Sequence, residues 1–355
     1  MRKSWRSLFA GLGFLAAVIG QPALAADDCH RLAGFYLDLV PTGDGYLVPI
    51  SLNGTPHFFL LKMNDAVMKI DVKLVDALQL ATQSAPRGMP LMDGKIPLKQ
   101  IATIPTLQIG PVPRKNTQAF TEERASAWGP RADGVVGMNA FSGFDIELDL
   151  AHNKLGLFLP RNCPFTPYWP YAVFGSANYT IGPSGAITIP MKLDGTDANV
   201  SPATSSPDSL MPFDSARALF KIQRDDPRLI AAGKQDDGSD RFRYPFKALA
   251  ADNLTISNPQ IYLYRSSGPP CPGMGGHMRP PGPPRGGPPR PGGPPLPGGF
   301  CTDTNAVTLG IRELRQLHFY FAFKDQKVYF TPAEPAPTAP PSVLGPQSPG
   351  SGAPH

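Results

Sequence analysis

The stretch Val48-Pro49-Ile50-Ser51-Leu52-Asn53-Gly54 decides the fold, because it returns later as Ile189-Pro190-Met191-Lys192-Leu193-Asp194-Gly195. Each copy alternates along its length and ends in Asn-Gly or Asp-Gly. That pattern is typical of a β-strand that enters a tight hairpin turn. Two copies of one stretch predict two copies of one structural unit.

The segments that follow each hairpin recur in the same order. Each half has a short helical stretch, then two residues followed by Gly, then a short amphipathic segment and two alternating strands. These blocks are 72–78, Val135-Val136-Gly137, 140–144, 144–150 and 154–158 in the first half, and 214–220, Thr308-Leu309-Gly310, 313–317, 318–323 and 327–330 in the second. The repeated units cover about 45–160 and about 185–332. We predict an all-β fold with small helices, in two lobes of barrel-like antiparallel sheet.

The first 25 residues have the features of an export signal. Arg2, Lys3 and Arg6 precede an uncharged apolar run over 8–20, and Ala23-Leu24-Ala25 forms a small-residue cleavage site. A membrane anchor is the alternative, but the run is shorter than the roughly 20 residues needed to span a bilayer. We expect cleavage of the signal peptide 1–25, a periplasmic or secreted protein, and no stable membrane insertion afterwards.

Composition argues against several classes of function. The net charge of +5 includes the three cations of the predicted signal, so the mature chain is nearly neutral and is a poor nucleic-acid ligand. No two histidines have a metal-binding spacing, no Cys-x-x-Cys occurs, and no phosphate-cradling glycine motif is present. We therefore predict no metal and no cofactor.

The four cysteines, Cys29, Cys163, Cys271 and Cys301, are expected to be oxidised in an exported protein. Four cysteines allow three pairings. We favour Cys29 with Cys163, which ties the start of the first lobe to its end, and Cys271 with Cys301, which closes the base of the segment between them. The other pairings connect a lobe to an inserted loop.

Composition also divides the chain. We predict an N-terminal lobe over 26–165 and a C-terminal lobe over 180–332, the latter carrying a Pro/Gly-rich insertion at 268–300. The insertion and the tail 333–355 are too poor in apolar residues to bury a core, so we expect both to be disordered. A tolerated surface insertion and a proline-rich recognition arm are both open for 268–300.

The repeated blocks resemble the retropepsin-like and pepsin-like aspartic peptidases, in particular the two-lobed exported bacterial members. In that family each lobe has an apolar strand that ends in Asp-Thr-Gly, then a helix, and later two apolar residues followed by Gly. Val135-Val136-Gly137 fits this pattern, and Thr308 makes the second copy a weaker fit. The resemblance implies two carboxylates that share one proton, because two like charges so close together cannot both ionise.

The matching positions lack both carboxylates. The apolar run 58–61 leads into Lys62-Met63-Asn64, and counting back from the second helix gives Ala203-Thr204-Ser205. An ammonium and a methyl group therefore stand where the resemblance requires acids. The nearest candidates for an atypical pair are Asp65 and Asp208, but neither is followed by the Thr and Gly of the motif.

These observations favour a catalytically inactive aspartic-peptidase-like protein, or pseudoenzyme, that binds a peptide or protein segment between its lobes. The predicted binding residues are Lys62, Met63, Asn64, Thr204 and Ser205. Lys62 is either a solvated lysine at a strand end or a cation on the floor of the cleft, where it could pair with a ligand carboxylate or with Asp65. An active aspartic endopeptidase that uses Asp65 and Asp208 is the alternative, and a structural envelope protein that uses the Pro-rich arm is a third hypothesis.

Overall fold

The structure is a computed structural model that describes residues 33–85, 92–93, 96–97, 100–124, 128–160, 165–182, 185–235, 238–265 and 306–334, with backbone alone at 92–93, 96–97 and Ala306. All of these residues belong to one compact unit of the chain. The predicted signal peptide, the four cysteines, the insertion 268–300 and the tail beyond Glu334 lie outside the described residues. The cleavage site and both disulfides therefore stay predictions.

The first lobe is built on an eight-stranded sheet with the strand order β2-β3-β4-β11-β5-β10-β9-β6. An additional pairing of β3 with β9 closes the strands between them into a barrel. The elements are β2 (Val40–Pro41), β3 (Tyr46–Leu52), β4 (Thr55–Leu61), β5 (Lys69–Asp71), α1 (Val72–Ala77), β6 (Ala81–Ser84), β9 (Gln100–Ile109), β10 (Val112–Glu122) and β11 (Gly134–Val136), followed by a 3-10 turn (Met138–Phe141) and accompanied by a small hairpin of β7 (Met92–Asp93) and β8 (Ile96–Pro97).

The second lobe is built on a larger sheet with the order β19-β20-β23-β18-β24-β17-β16-β21-β22, with β15 paired to β16. Its elements are β15 (Thr180–Ile181), β16 (Ile187–Leu193), β17 (Thr196–Pro202), β18 (Ser209–Pro212), α2 (Phe213–Phe220), β19 (Ile230–Lys234), β20 (Asp240–Arg243), β21 (Ala248–Ala251), β22 (Leu254–Ser257), β23 (Ile261–Tyr264), β24 (Ala306–Leu309) and α3 (Ile311–Leu314).

A third sheet joins the two lobes. It has six strands in the order β1-β13-β12-β25-β26-β14, which are β1 (Gly34–Asp38), β12 (Asp145–Asp149), β13 (Lys154–Phe158), β14 (Gly175–Asn178), β25 (Leu317–Ala322) and β26 (Lys327–Pro332). The final strands of both halves meet here, where β12 pairs antiparallel with β25. The sequence predicted these strands but not that they form one shared sheet.

The two hairpins confirm the turn prediction. Asn53 and Gly54 both have positive φ, and so do Asp194 and Gly195. Two consecutive residues with positive φ form the turn that matches the twist of the strands on either side. Buried residues alternate with more exposed ones along the second strand of the repeat, Ile187–Leu193, as the predicted period of two requires.

The repeat extends beyond the hairpins. Strands β3 and β4 recur 141 positions later as β16 and β17, and α1 begins at Val72 where α2 begins at Phe213. After the region of the insertion the offset becomes 173 positions, which relates the turn at Met138–Phe141 to α3 at Ile311–Leu314. One connected cluster of buried apolar side chains runs through both lobes and the shared sheet.

The all-β class with small helices and the two-lobed architecture are therefore confirmed. None of the helices in the described part of the chain is long and apolar enough to cross a membrane.

Candidate functional site

Two loops occupy equivalent places in the two lobes. Loop 1 (62–64) follows β4, and loop 2 (203–205) follows β17. Lys62 N–H donates to Val136 O at 3.0 Å, and Ala203 N–H donates to Leu309 O at 2.9 Å. The first residue of each loop is thus held by the last residue of the strand beside it.

Two glycines fix the register of these loops. A Cβ on Gly137 would lie 2.4 Å from Val67 O, and a Cβ on Gly310 would lie 2.3 Å from the carbonyl carbon of Asp208. Neither approach leaves room for a side chain, so only glycine fits.

The backbone next to these glycines repeats the same contacts. Met138 N–H donates to Asp65 O, and Ile311 N–H donates to Ser206 O. Because the offset of 141 positions also relates Asp65 to Ser206, it makes Lys62 the structural equivalent of Ala203.

The loops meet through the hydroxyl of Thr204. Its Oγ1 donates to Leu61 O at 2.6 Å and accepts the N–H of Met63 at 3.2 Å, and the residue is fully buried. The same offset places Met63 opposite Thr204, and a thioether cannot return the donated hydrogen bond. The side-chain link between the loops is therefore one-sided.

Loop 1 leads into a line of alternating charges. Lys69 is 1% exposed, and its Nζ lies 2.9 Å from Asp65 Oδ2 and 3.7 Å from Glu122 Oε2. Lys62 Nζ lies 3.8 Å from the same Asp65 oxygen. The side chain of Lys62 is about one-fifth exposed, so it lies at the solvent end of this line. Sequence reasoning considered Lys62 for Asp65 and missed Lys69, the closer and buried partner.

Asp208 lies between two arginines of its own lobe. Arg241 Nη2 is 3.1 Å from one carboxylate oxygen, and Arg312 Nη2 is 2.9 Å from the other. Asp65 and Asp208 are thus each paired with cations of their own lobe. No hydrogen bond joins their two carboxyl groups among the described residues.

A buried acid supports loop 2 from below. Glu313 is 1% exposed, accepts the N–H of Gln260 at 3.0 Å and accepts the hydroxyl of Ser209. Ser209 Oγ in turn accepts the N–H of Gly310 at 2.9 Å. Desolvation by burial raises the pKa of Glu313 above the usual range of a carboxyl group.

A cavity of about 260 Å³ opens beside the loops. Leu47, Leu60 and Trp128 supply buried apolar walls, and Asp44 and Arg131 are exposed at its rim. Gly45, next to Asp44, approaches Leu60, Thr204 and Ser205, which brings the cavity to the junction of the lobes. Sequence reasoning missed these residues, because distant segments converge here through barrel closure and carry no shared motif.

The remaining predicted binding residues lie in the loops. Ser205 is partly exposed, and Asn64 is partly buried. The Oδ1 atom of Asn64 is fully buried and accepts no hydrogen bond from the described residues. Within the described residues, no three His, Cys, Asp or Glu side chains converge as a metal site would require.

Comparison with known proteins gives structural neighbours but no sequence relatives. No protein-family profile matches the sequence, and no curated protein sequence matches it. Two solved structures are similar: the basic 7S globulin from soybean, at 10% identity and a TM-score of 0.44, and the aspartic proteinase from Irpex lacteus, at 8% identity and a TM-score of 0.48. Each alignment covers 85% of this chain, with 97% of the globulin and 98% of the proteinase.

Proposed function

We propose that this chain is an exported binding protein that holds a peptide or protein segment between its lobes and does not hydrolyse peptides by an aspartic-peptidase mechanism. The observation that carries the proposal is the equivalence of Lys62 and Ala203, each anchored by the same backbone hydrogen bond. Water activation by an acid pair needs two carboxyl groups that share a proton at these positions. An ammonium and a methyl group can neither accept nor relay that proton.

The atypical pair of Asp65 and Asp208 is a weaker candidate for the same chemistry. Asp65 is 2.9 Å from the buried ammonium of Lys69, and Asp208 is paired with Arg241 and Arg312. Nearby cations favour the ionised form of a carboxyl group. Two ionised carboxylates provide no general acid, so these ion pairs argue against the pair as a peptidase dyad.

Three features support peptide binding at the junction of the lobes. The cavity beside loop 2 has apolar walls and charged residues at its rim, which suits one apolar side chain of a ligand. The buried Asn64 Oδ1 is an acceptor that a ligand N–H would satisfy. Lys62 is partly exposed next to it and would attract a ligand carboxylate.

The first experiment separates binding from turnover. The purified chain is incubated with unfolded protein substrates across acid and neutral pH, with and without a pepstatin-type inhibitor. We expect no cleavage above the level of an Asp65→Asn variant. Turnover that both the inhibitor and Asp65→Asn abolish would defeat the proposal in favour of an active endopeptidase.

The second experiment tests the cavity as part of the binding site. Gly43 lines the cavity, and a Cβ added to it meets nothing within 4 Å, so Gly43→Trp fills the opening without disturbing the fold. We expect this variant to lose binding to a pool of random extended peptides that the unchanged chain retains. Ile230→Trp, which alters an exposed residue of the second lobe, is the matched control. Equal binding by both variants excludes the cavity.

A further inference from the structure

The segment 165–174, which connects the two halves of the repeat, lies on one face of the six-stranded sheet. Phe165 stacks on Tyr320 with ring centroids 3.9 Å apart, and Trp169 stacks on His318 at the same distance. The indole Nε1 of Trp169 donates to Thr331 Oγ1 at 2.8 Å. The connecting segment therefore covers strands β25 and β26 and brings its aromatic residues to this face.

The outer surface of this segment forms an aromatic platform, made of Tyr36, Tyr168 and Trp169. The hydroxyls of Tyr36 and Tyr168 are 3.0 Å apart, and the rings of Tyr168 and Trp169 meet edge to face at 5.0 Å. Tyr36 is 48% exposed and Tyr168 is 47% exposed. Exposed apolar groups that cluster in this way mark an interaction surface rather than scattered surface residues.

The platform crosses the sheet. Trp169 contacts Thr331 on β26, and Tyr36 belongs to β1, four strands away in the sheet order. Four steps at the usual spacing of strands make about 19 Å. An occupant must therefore be an extended segment of that length.

The chain itself supplies such a segment. Beyond Thr331 the described chain continues to Glu334, and Ala333 N–H still bonds to Gln316 O at the end of the sheet. The sequence then reads Pro335-Ala336-Pro337-Thr338-Ala339-Pro340-Pro341, without a charge. As a polyproline II helix, these seven residues extend about 22 Å.

We propose that residues 335–341 bind the aromatic platform as a polyproline II segment. Proline rings pack on aromatic faces, and the hydroxyls of Tyr36 and Tyr168 donate to the carbonyls that such a helix leaves free. The segment starts beside Trp169, so it binds at the high effective concentration of a tethered ligand.

Charge distinguishes this segment from the other proline-rich part of the chain. The insertion 268–300 carries Arg279, Arg285 and Arg290, which need carboxylates. The acid under the platform, Glu147, is 3% exposed and already bonds to Tyr36 and His318. The surface therefore suits the uncharged segment.

The test uses the full chain in two forms, unchanged and with residues 335–341 replaced by alternating Gly and Ser. The probe is a fluorescent peptide of sequence Pro-Ala-Pro-Thr-Ala-Pro-Pro, and its anisotropy reports binding. We expect saturable binding to the replaced form, with an apparent affinity at least about tenfold higher than for the unchanged chain, where the tethered segment competes. The replacement leaves every described residue intact, so folding of the core is not at risk.

Two variants made in the replaced form locate the site. Tyr168→Ala is expected to abolish binding of the probe, whereas Ile181→Ala, at the equally exposed Ile181 of β15, is expected to leave it unchanged. Equal binding to the unchanged and replaced chains overturns the proposal, as does a lack of binding to both. Preferential binding of a peptide that spans 279–290, or dimerisation of the replaced form without probe binding, assigns the platform to another occupant and also overturns it.

Discussion

Loop 1 and loop 2 hold equivalent backbone positions but differ in what their side chains do. Loop 1 begins with Lys62, which leads into the buried charges of Asp65 and Lys69. Loop 2 begins with the methyl group of Ala203 and uses the hydroxyl of Thr204 to hold its partner. One lobe is therefore stabilised by buried ions and the other by a hydrogen bond that crosses between lobes. The backbone frame is kept where the paired chemistry of two identical loops is not.

The largest expected effect tests whether the lysines of the first lobe have different roles. Lys69→Met leaves the carboxylates of Asp65 and Glu122 without the ammonium that lies between them, so we expect a loss of about 3–5 kcal/mol in the free energy of unfolding. Lys62→Met removes a partly exposed and longer contact, and we expect a loss below about 1 kcal/mol. Urea unfolding of both variants measures the difference. Similar losses would mean that Lys62 is as structural as Lys69.

The link between the lobes is tested by Thr204→Val, which keeps the shape and removes the hydroxyl. Leu61 O and Met63 N–H then lose a buried partner, and we expect a destabilisation of about 3 kcal/mol. Thr106→Val, at an exposed position of β9, is the matched control and should stay within about 0.5 kcal/mol. A thermal or urea unfolding curve for each variant decides. A small effect at Thr204 would show that loop contact does not depend on this hydroxyl.

The ion pairs of Asp208 should be weaker than those of Lys69. Arg241 and Arg312 have side chains 24% and 49% exposed, so water and salt screen their interaction with the carboxylate. We expect Asp208→Asn to reduce the free energy of unfolding by about 1 kcal/mol, and less at high salt. Unfolding curves at low and high ionic strength measure this. An effect that salt leaves unchanged would contradict the screening.

The smallest expected effect concerns the buried acid below loop 2. Because burial raises the pKa of Glu313 in the folded chain, the folded protein keeps this proton after the unfolded chain has lost it. The stability contributed by Glu313 is therefore greatest at acid pH and declines as pH rises from the usual carboxyl range through the raised pKa. Glu313→Gln cannot ionise and should remove this decline.

Unfolding by urea at several values between about pH 4 and pH 7 measures the slope. Glu123→Gln, at an exposed position, is the control and should leave the pH dependence as it is in the unchanged chain. An identical slope for Glu313→Gln and the unchanged chain would mean that the buried carboxyl titrates alike in the folded and unfolded states.

Much of the fold could be predicted because its signals are local. Asn53-Gly54 and Asp194-Gly195 require positive φ at adjacent residues, and the alternation beside them requires strands. The helix starting at Val72 and its copy at Phe213 were predicted to within one residue at their first positions. In the candidate site, the expected positions of Lys62 and Ala203 followed from their distance to these elements.

Other contacts could not be predicted, because they join segments that are far apart in sequence. Lys69 pairs with Asp65 only because β5 packs beside β10, which also brings Glu122 to the same ammonium. Trp128 and Leu60 meet at the cavity because barrel closure brings their segments together.

The sequence by itself determined the repeated hairpins, the order of strands and helices and the absence of acids from both loops, since each depends on residues close together in the chain. The tertiary structure alone decided that β12 and β25 join in one shared sheet, that Thr204 reaches Leu61, and that the connecting segment covers that sheet with aromatic side chains. These features arise from burial of apolar faces between distant segments, and alternation in one strand does not specify which other strand will cover it.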